Sequence, residues 1–314
     1  MGTSATPPFL FTYYCRCFNL VNGDKEVVEA ICDHPSIKAV TFVGSTPVAK
    51  LVTTRAQSNY KRVVALGGAK NHLVAAPDCN INVAAQDIVN SYSGCAGQRC
   101  MAASVLLTIG HQPALLEKIV QLSKAIKPGN SSGEMGPVID AASLSKIQKY
   151  IAESEKLGAT ILVDGRTWKS PAANGGGWWI GPTVILHKSA NDPAMKDEIF
   201  GPVLSILEVG TREEAIEIEN SSPFGNAAAI YTTSGLVAEW FTERFSTGMV
   251  GVNIGIPVPR EPFSFGGIQD SRWGSQVDIT GEGGVEFFTY RRKVTTRWTE
   301  SADGFFASSA NTAN

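Results

Sequence analysis

Cys100 closes the run Gly94-Cys95-Ala96-Gly97-Gln98-Arg99-Cys100-Met101, in which glycines and small residues loosen the chain around a thiol. A bend of that kind lets the backbone wrap a thiolate and aim amide N–H groups at whatever the sulfur attacks. The commoner use of a cysteine among glycines is packing as a small apolar residue, and the octapeptide alone leaves both uses open. A second stretch with chemical potential is Gly44-Ser45-Thr46-Pro47, which follows a short apolar run and opens a helix. Strand, Gly-Ser turn and helix place backbone donors at a helix N-terminus, where an anion such as a pyrophosphate binds. The same four residues also suit an ordinary N-cap with Pro47 in the first turn.

The elements that must position these residues alternate. Helical spacing is read over Asp24 to His34, from Gly44 to Arg55, and over Ile81 to Tyr92, Ala114 to Ala125 and Leu144 to Lys156. It returns over Thr211 to Asn220 and Leu236 to Phe245. Between them lie strand-like runs at Ala39 to Val43, Arg62 to Leu66, Ala103 to Ile109, Thr160 to Val163, Trp178 to Leu186, Leu204 to Val209 and Ala227 to Thr232. Alternation on this scale predicts an α/β fold with a largely parallel sheet. Arg260 to Trp273 is glycine-rich and suits a loop lining a site. Val285 to Tyr290 and Lys293 to Trp298 read as β-rich, the pattern of a terminal strand that adds to a sheet edge in its own or a neighbouring subunit.

The chain has 314 residues, a formal net charge of −2 and no block of like charges, which argues against a nucleic-acid partner. No apolar run approaches the roughly 20 residues of a membrane span, and no metal site is expected. Six cysteines without a secretory leader read as reduced thiols of an intracellular protein. Residues 1–17 do not follow the later rhythm. Gly2 and Thr6 fit a myristoylation pattern, with Cys15 and Cys17 nearby, but so short a match arises readily by chance. The final residues, 301–314, read as a disordered tail.

Taken in order, Thr41-Phe42-Val43-Gly44-Ser45, Gly68-Ala69-Lys70-Asn71-His72, Gly97-Gln98-Arg99-Cys100-Met101-Ala102, Gly181-Pro182-Thr183-Val184, Glu198-Ile199-Phe200-Gly201-Pro202-Val203, Pro223-Phe224-Gly225 and Phe263-Ser264-Phe265-Gly266-Gly267 resemble the aldehyde dehydrogenase superfamily. Ala69 to His72, Gly97 to Met101 and Ile256-Pro257-Val258-Pro259 look like its CoA-acylating branch, the methylmalonate-semialdehyde (malonate-semialdehyde) dehydrogenases. The resemblance implies an incomplete Rossmann-type cofactor domain over 18–66, a complete α/β catalytic domain over 67–270, and a return with an oligomerisation strand over 271–300. It implies a homo-oligomer, dimer or tetramer, built through that strand. The implied compartment is mitochondrial in a eukaryote and cytoplasmic in a bacterium.

By the same resemblance Cys100 is the nucleophile, with its own amide in the oxyanion hole. Gly44 and Ser45 face the pyrophosphate of NAD, while Glu198 and Phe200 hold the nicotinamide ribose and pack by the ring. Phe265 walls the aldehyde pocket or else packs in the core, and Arg99 holds the substrate's carboxylate by a charge-assisted contact, unless it pairs with a structural carboxylate instead. Hydrolytic members carry a glutamate two residues before a Gly-Gly or Gly-Ala pair, and here that place is Leu66. Leucine cannot take a proton from water, whereas a thiol with a pKa of about 8.5 needs far less help. The departure points to coenzyme A as acyl acceptor, or to a dead site.

The first part of a full-length member has no counterpart in the chain, including the oxyanion-hole asparagine. Loss of such a donor typically costs about two to three orders of magnitude in rate. Two expectations therefore stand beside each other: a branch enzyme given without its N-terminal part, and a truncated, non-catalytic partner of full-length subunits. A third, a thiol sensor using Cys95 and Cys100, rests on their proximity in sequence.

Overall fold

The computed structural model describes residues 18–171 and 176–298. The segment 1–17, with its myristoylation match, and the tail 301–314 lie outside the described residues. Helices α1 (Lys25–Asp33), α2 (Thr46–Ser58) and strands β1 (Ala39–Val43) and β2 (Arg62–Leu66) form a small unit. There β1 and β2 pair in parallel, and β10 (Arg272–Gly274) returns from far along the chain to pair antiparallel with β2. Cys32, Val40, Val52, Ala56 and Val63 form its core; β2 is buried along Val63, Val64 and Ala65, while β1 leaves Thr41 and Val43 exposed.

The larger unit is a seven-stranded sheet. Its strands are β3 (Asn71–Ala75), β4 (Ala103–Ile109), β5 (Thr160–Val163), β6 (Thr183–Leu186), β7 (Val203–Val209), β8 (Ala227–Tyr231) and β9 (Met249–Val252), in the spatial order β9-β8-β3-β4-β7-β6-β5. All neighbours are parallel except β5 and β6. Parallel central strands are buried on both faces and read as continuous apolar runs. Leu73, Leu106 and Ile206 point to one face, where α3 (Ile81–Ser93) and α4 (Pro113–Ala125) contribute Ile88, Tyr92, Leu115 and Ile119. Their neighbours Val74, Leu107 and Leu207 point to the other, against Ala215 of α7 (Arg212–Asn220) and Phe241 of α8 (Gly235–Thr242). Helix α5 (Ala141–Lys156) buries Ile147 and Ile151 beside Ile185 and Ile199, next to the short helix α6 (Pro193–Lys196).

Three expectations change. The run from Trp178 becomes a strand only at Thr183–Leu186, because Gly181-Pro182 interrupts it, and Trp178 makes a lone bridge to Val138. Three of these strands escaped the pattern: β3, whose first residues Asn71 and His72 are polar yet buried, β9, short and with Gly251 inside it, and β10, which begins inside the stretch expected to be a loop. The terminal strand expected over Val285–Tyr290 is instead helix α9 (Gly281–Phe288). Only Phe287 of this segment is deeply buried, and the Arg62 guanidinium packs against its ring while donating to the Thr289 carbonyl (2.8 Å) just beyond the helix C-terminus. That favours helix over an extended edge. Residues 290–298 form no strand, and Tyr290, Val294 and Trp298 are exposed.

Among the described residues no helix is long and apolar enough to cross a membrane.

Candidate active site

Helix α3 is started by Asn80, whose side chain accepts from the amides of Asn82 and Val83, and it runs into a turn over Gly94–Gly97. There Cys95, Ala96 and Gly97 take φ of 53°, 53° and 68° in succession. A left-handed residue other than glycine costs about 1 kcal/mol or more, so the surroundings must hold the bend. Ala96 is packed among Ile147, Ile199 and Val203. Gln98 donates to the carbonyls of Cys95 (3.1 Å) and Pro137 (3.3 Å), and its Oε1 accepts from the Ile139 amide (2.9 Å). At Gly97 any Cβ would collide with the Gly201 carbonyl, so glycine is required twice over, by conformation and by contact.

The bend delivers Cys100 to the amino ends of the parallel strands, just before β4. Burial pushes its thiol up and the Glu198 carboxylate adds to this; its own amide, the Met101 amide and Arg99 pull the other way. The surrounding cleft is lined by Lys70, Arg99, Cys100, Glu198 and Phe200 with small residues between them. Phe265 packs with Cys100 against Met101, Ala227 and Met249. Four residues singled out in the sequence, Arg99, Cys100, Glu198 and Phe200, thus line one cleft, and Phe265 packs on the apolar cluster that Cys100 also touches.

Glu198 accepts from the Ala69 amide at 3.0 Å. Burial raises its carboxyl above the usual range, against the Ala69 amide and the charges of Lys146 and Lys70. Phe200 is half-exposed at a φ of 58° and lines the cleft. Arg99 donates through Nη2 to the carbonyls of Asn90 (3.1 Å) and Ser91 (2.8 Å), near the end of α3. No carboxylate lies within ion-pair distance of it among the described residues, and its Nε is buried without a hydrogen-bond partner. In place of the structural carboxylate, Arg99 pairs with main-chain carbonyls at the end of α3.

Gly44 and Ser45 lie where the small unit meets the large one. Ser45 is the N-cap residue of α2 but its hydroxyl makes no capping bond, which leaves the turn's amides without a side-chain acceptor. A Cβ at Gly44 would press into the Phe42 ring. Thr46 ties this turn to the site: its hydroxyl accepts from the Gly68 amide (2.9 Å) and donates to the Asp270 carbonyl (3.1 Å). The next amide along, Ala69, is the one that holds Glu198. The open helix start and the Glu198 carboxylate fit the pyrophosphate and ribose of a dinucleotide. Leu66 ends β2 with its carbonyl accepting from the Gly44 amide, and it carries no proton-accepting side chain.

Other residues at the site were at most markers of the resemblance in the sequence, as Lys70 and Asn71 are, or gave no pattern at all. Lys70 is 3% exposed, burial pushes its ammonium down to about 7, and Nζ donates to the carbonyls of Ala194 (2.7 Å) and Asp197 (2.8 Å). His187 joins Asp192 (2.8 Å) to Ser205 (3.1 Å), and the Ser205 hydroxyl lies 3.0 Å from the same Ala194 carbonyl. Ser205 is fully buried, so this row anchors α6 and the approach to Glu198 rather than meeting a substrate. Asn71 and Asn226 bond the backbone at Cys100 itself. No spacing reveals such residues, because their partners are main-chain carbonyls brought close only by the fold.

The model of the aldehyde dehydrogenase family matches residues 16–294. The malonate-semialdehyde dehydrogenase 2 of Geobacillus kaustophilus is 44% identical over 284 residues, 89% of this chain and 58% of that protein. A crystal structure of methylmalonate-semialdehyde dehydrogenase from Oceanimonas doudoroffii superposes with a TM-score of 0.86 at 40% identity, over 90% of this chain and 58% of the other. A Sinorhizobium meliloti 1021 protein assigned to the same enzyme class, in complex with NAD, gives 0.86 at 38% identity with the same coverage. The chain thus spans a little under three fifths of the length of these relatives.

Proposed function

Because the chain belongs to the aldehyde dehydrogenase family, we propose that it supplies the nucleophile for NAD-dependent, CoA-acylating oxidation of malonate or methylmalonate semialdehyde. The observation that carries this is the cleft lined by Cys100, Glu198 and Arg99, with leucine at position 66. Cys100, as thiolate, adds through Sγ to the aldehyde carbon, and the carbonyl electron pair moves to oxygen. The amide of Cys100 faces the charge that develops there. Ser45 and Gly44 would hold NAD at its pyrophosphate and Glu198 at its ribose, and bound there it would accept the hydride given up by the thiohemiacetal carbon. Cys100 is then acylated as a thioester. Arg99 holds the substrate's carboxylate until its C–C bond breaks; carbon dioxide leaves, the bonding pair passes into the thioester enolate, and a proton from solvent completes the acyl group. The thiolate of coenzyme A displaces Cys100, giving acetyl-CoA or propionyl-CoA and the free thiol. Leu66 leaves water without a base, so a thiol rather than water completes the cycle.

The test is NADH formation from malonate semialdehyde by this chain and by a form extended upstream, each with and without CoA. Turnover only in the extended form and only with CoA is expected. Turnover without CoA overturns the assignment of Leu66, and a silent extended form overturns the activity. In the active form Arg99→Leu should raise KM for the semialdehyde far more than for propanal; equal changes would remove the carboxylate role.

A further inference from the structure

Two buried amide side chains converge on one backbone oxygen beside the thiol. Asn71 Nδ2 donates to the Cys100 carbonyl at 2.8 Å and Asn226 Nδ2 to the same oxygen at 2.9 Å. Asn71 Nδ2 also donates to the Ala102 carbonyl (2.8 Å), and its Oδ1 accepts from Asn226 (3.2 Å), which fixes the orientation of both amides. They are 3% and 7% exposed. Burying such groups is costly unless every donor is used, and here the donors are spent on the loop that carries the nucleophile. In a trans peptide the C=O and the following N–H point to opposite sides of one plane, so whatever fixes the oxygen fixes the hydrogen. The hydrogen in question is that of the Met101 amide, which with the Cys100 amide pulls the thiol down against the effect of burial.

We propose that Asn71 and Asn226 are positioning residues: by clamping the Cys100 carbonyl they turn the Cys100-Met101 peptide so that its N–H supports the thiolate. This rests on Cys100 being the nucleophile. The charged groups around the sulfur are Glu198, Arg99 and Lys70, and none of them touches the clamped oxygen. The two amides also hold the loop just beyond the thiol, Asn71 at the Ala102 carbonyl (2.8 Å) and Asn226 at the Met101 Sδ (3.2 Å), so the clamp acts on the thiolate through the loop backbone and not through a charge.

The experiment is the pH profile of Cys100 alkylation by iodoacetamide in the chain as it stands and in its extended form, without aldehyde, NAD or CoA. Trypsin cleaves after Arg99, so Cys100 begins its own peptide and is measured apart from exposed Cys95, which serves as reference. Asn71→Ala and Asn226→Ala should move the Cys100 profile to higher pH and slow its alkylation about three- to tenfold near neutrality, where rate follows thiolate fraction, with the plateau at high pH kept. An unchanged profile, or a fall that is equal at every pH, overturns the proposal. Buried Cys32 and Cys79 report unfolding by becoming reactive. If the alanine variants unfold, Asn226→Ser, which leaves Asn71 in place, must still raise the apparent pKa; no rise overturns the clamp. Because alkylation needs no turnover, failure here is separate from failure of the proposed reaction.

Discussion

Replacing Glu219 by Gln should reveal a buried proton. The residue lies near the end of α7, is 2% exposed, and its one described polar contact is the Ser246 amide at 3.0 Å. Burial pushes its carboxyl from 4.5 up to about 7, and that amide only partly offsets it. At about 1.4 kcal/mol per pKa unit, the native state holds this proton roughly 3 kcal/mol more firmly than the unfolded chain. The stabilisation is complete below pH 4.5, where both states are protonated. It is lost as pH rises through 7, where the native state must bury a charge that water would otherwise solvate. Glutamine imitates the protonated acid and its oxygen can still accept from Ser246. The variant and the parent should therefore be about equally stable near pH 4.5, and the variant should gain up to about 3 kcal/mol by pH 8. Urea unfolding of both proteins across that range measures the difference directly, and groups common to both cancel. Because the cause is burial and not a charged neighbour, the gap should change little with added salt. A difference that stays constant from pH 4.5 to 8 would refute the reasoning.

Gly97→Ala forces a side chain into a left-handed position against the Gly201 carbonyl and should destabilise the protein by about 2–4 kcal/mol in urea; a loss below about 0.5 kcal/mol would show that the bend relaxes freely. Thr46→Val strands the Gly68 amide and should cost about 1–3 kcal/mol, whereas Thr46→Ser keeps the hydroxyl and most of the stability. Equal melting curves for the two would deny the tie between the turn at Gly44-Ser45 and the cleft.

Most of the alternation was legible because the central strands carry long apolar runs and the helices keep a 3.6-residue period. Where that failed, burial was achieved by other means. Strand β3 hides Asn71 and His72, and burial pushes the His72 imidazole down to about 3, so it sits neutral in the sheet like an apolar residue. Helix α9 carries Val285, Phe287 and Phe288 in a strand-like order, but the first and last face solvent and only Phe287 and the Arg62 contacts decide its form. At the site, residues with a motif around them could be found by eye. Asn226 could not, since the oxygen it serves lies 126 positions earlier in the chain and belongs to the main chain.

The placement of the thiol at the amino ends of the parallel strands leaves their far ends free for other uses. Strand β4 runs seven residues from Ala103 to Ile109, roughly 20 Å at the usual rise, before it turns at Gly110. At Gly110 the space around a would-be Cβ is open, and the neighbouring His111 is exposed. A fluorophore, affinity tag or surface tether grafted at that corner would hang on the side of the sheet away from the sulfur, so the molecule can be immobilised or followed while its reactive face stays open to reagents.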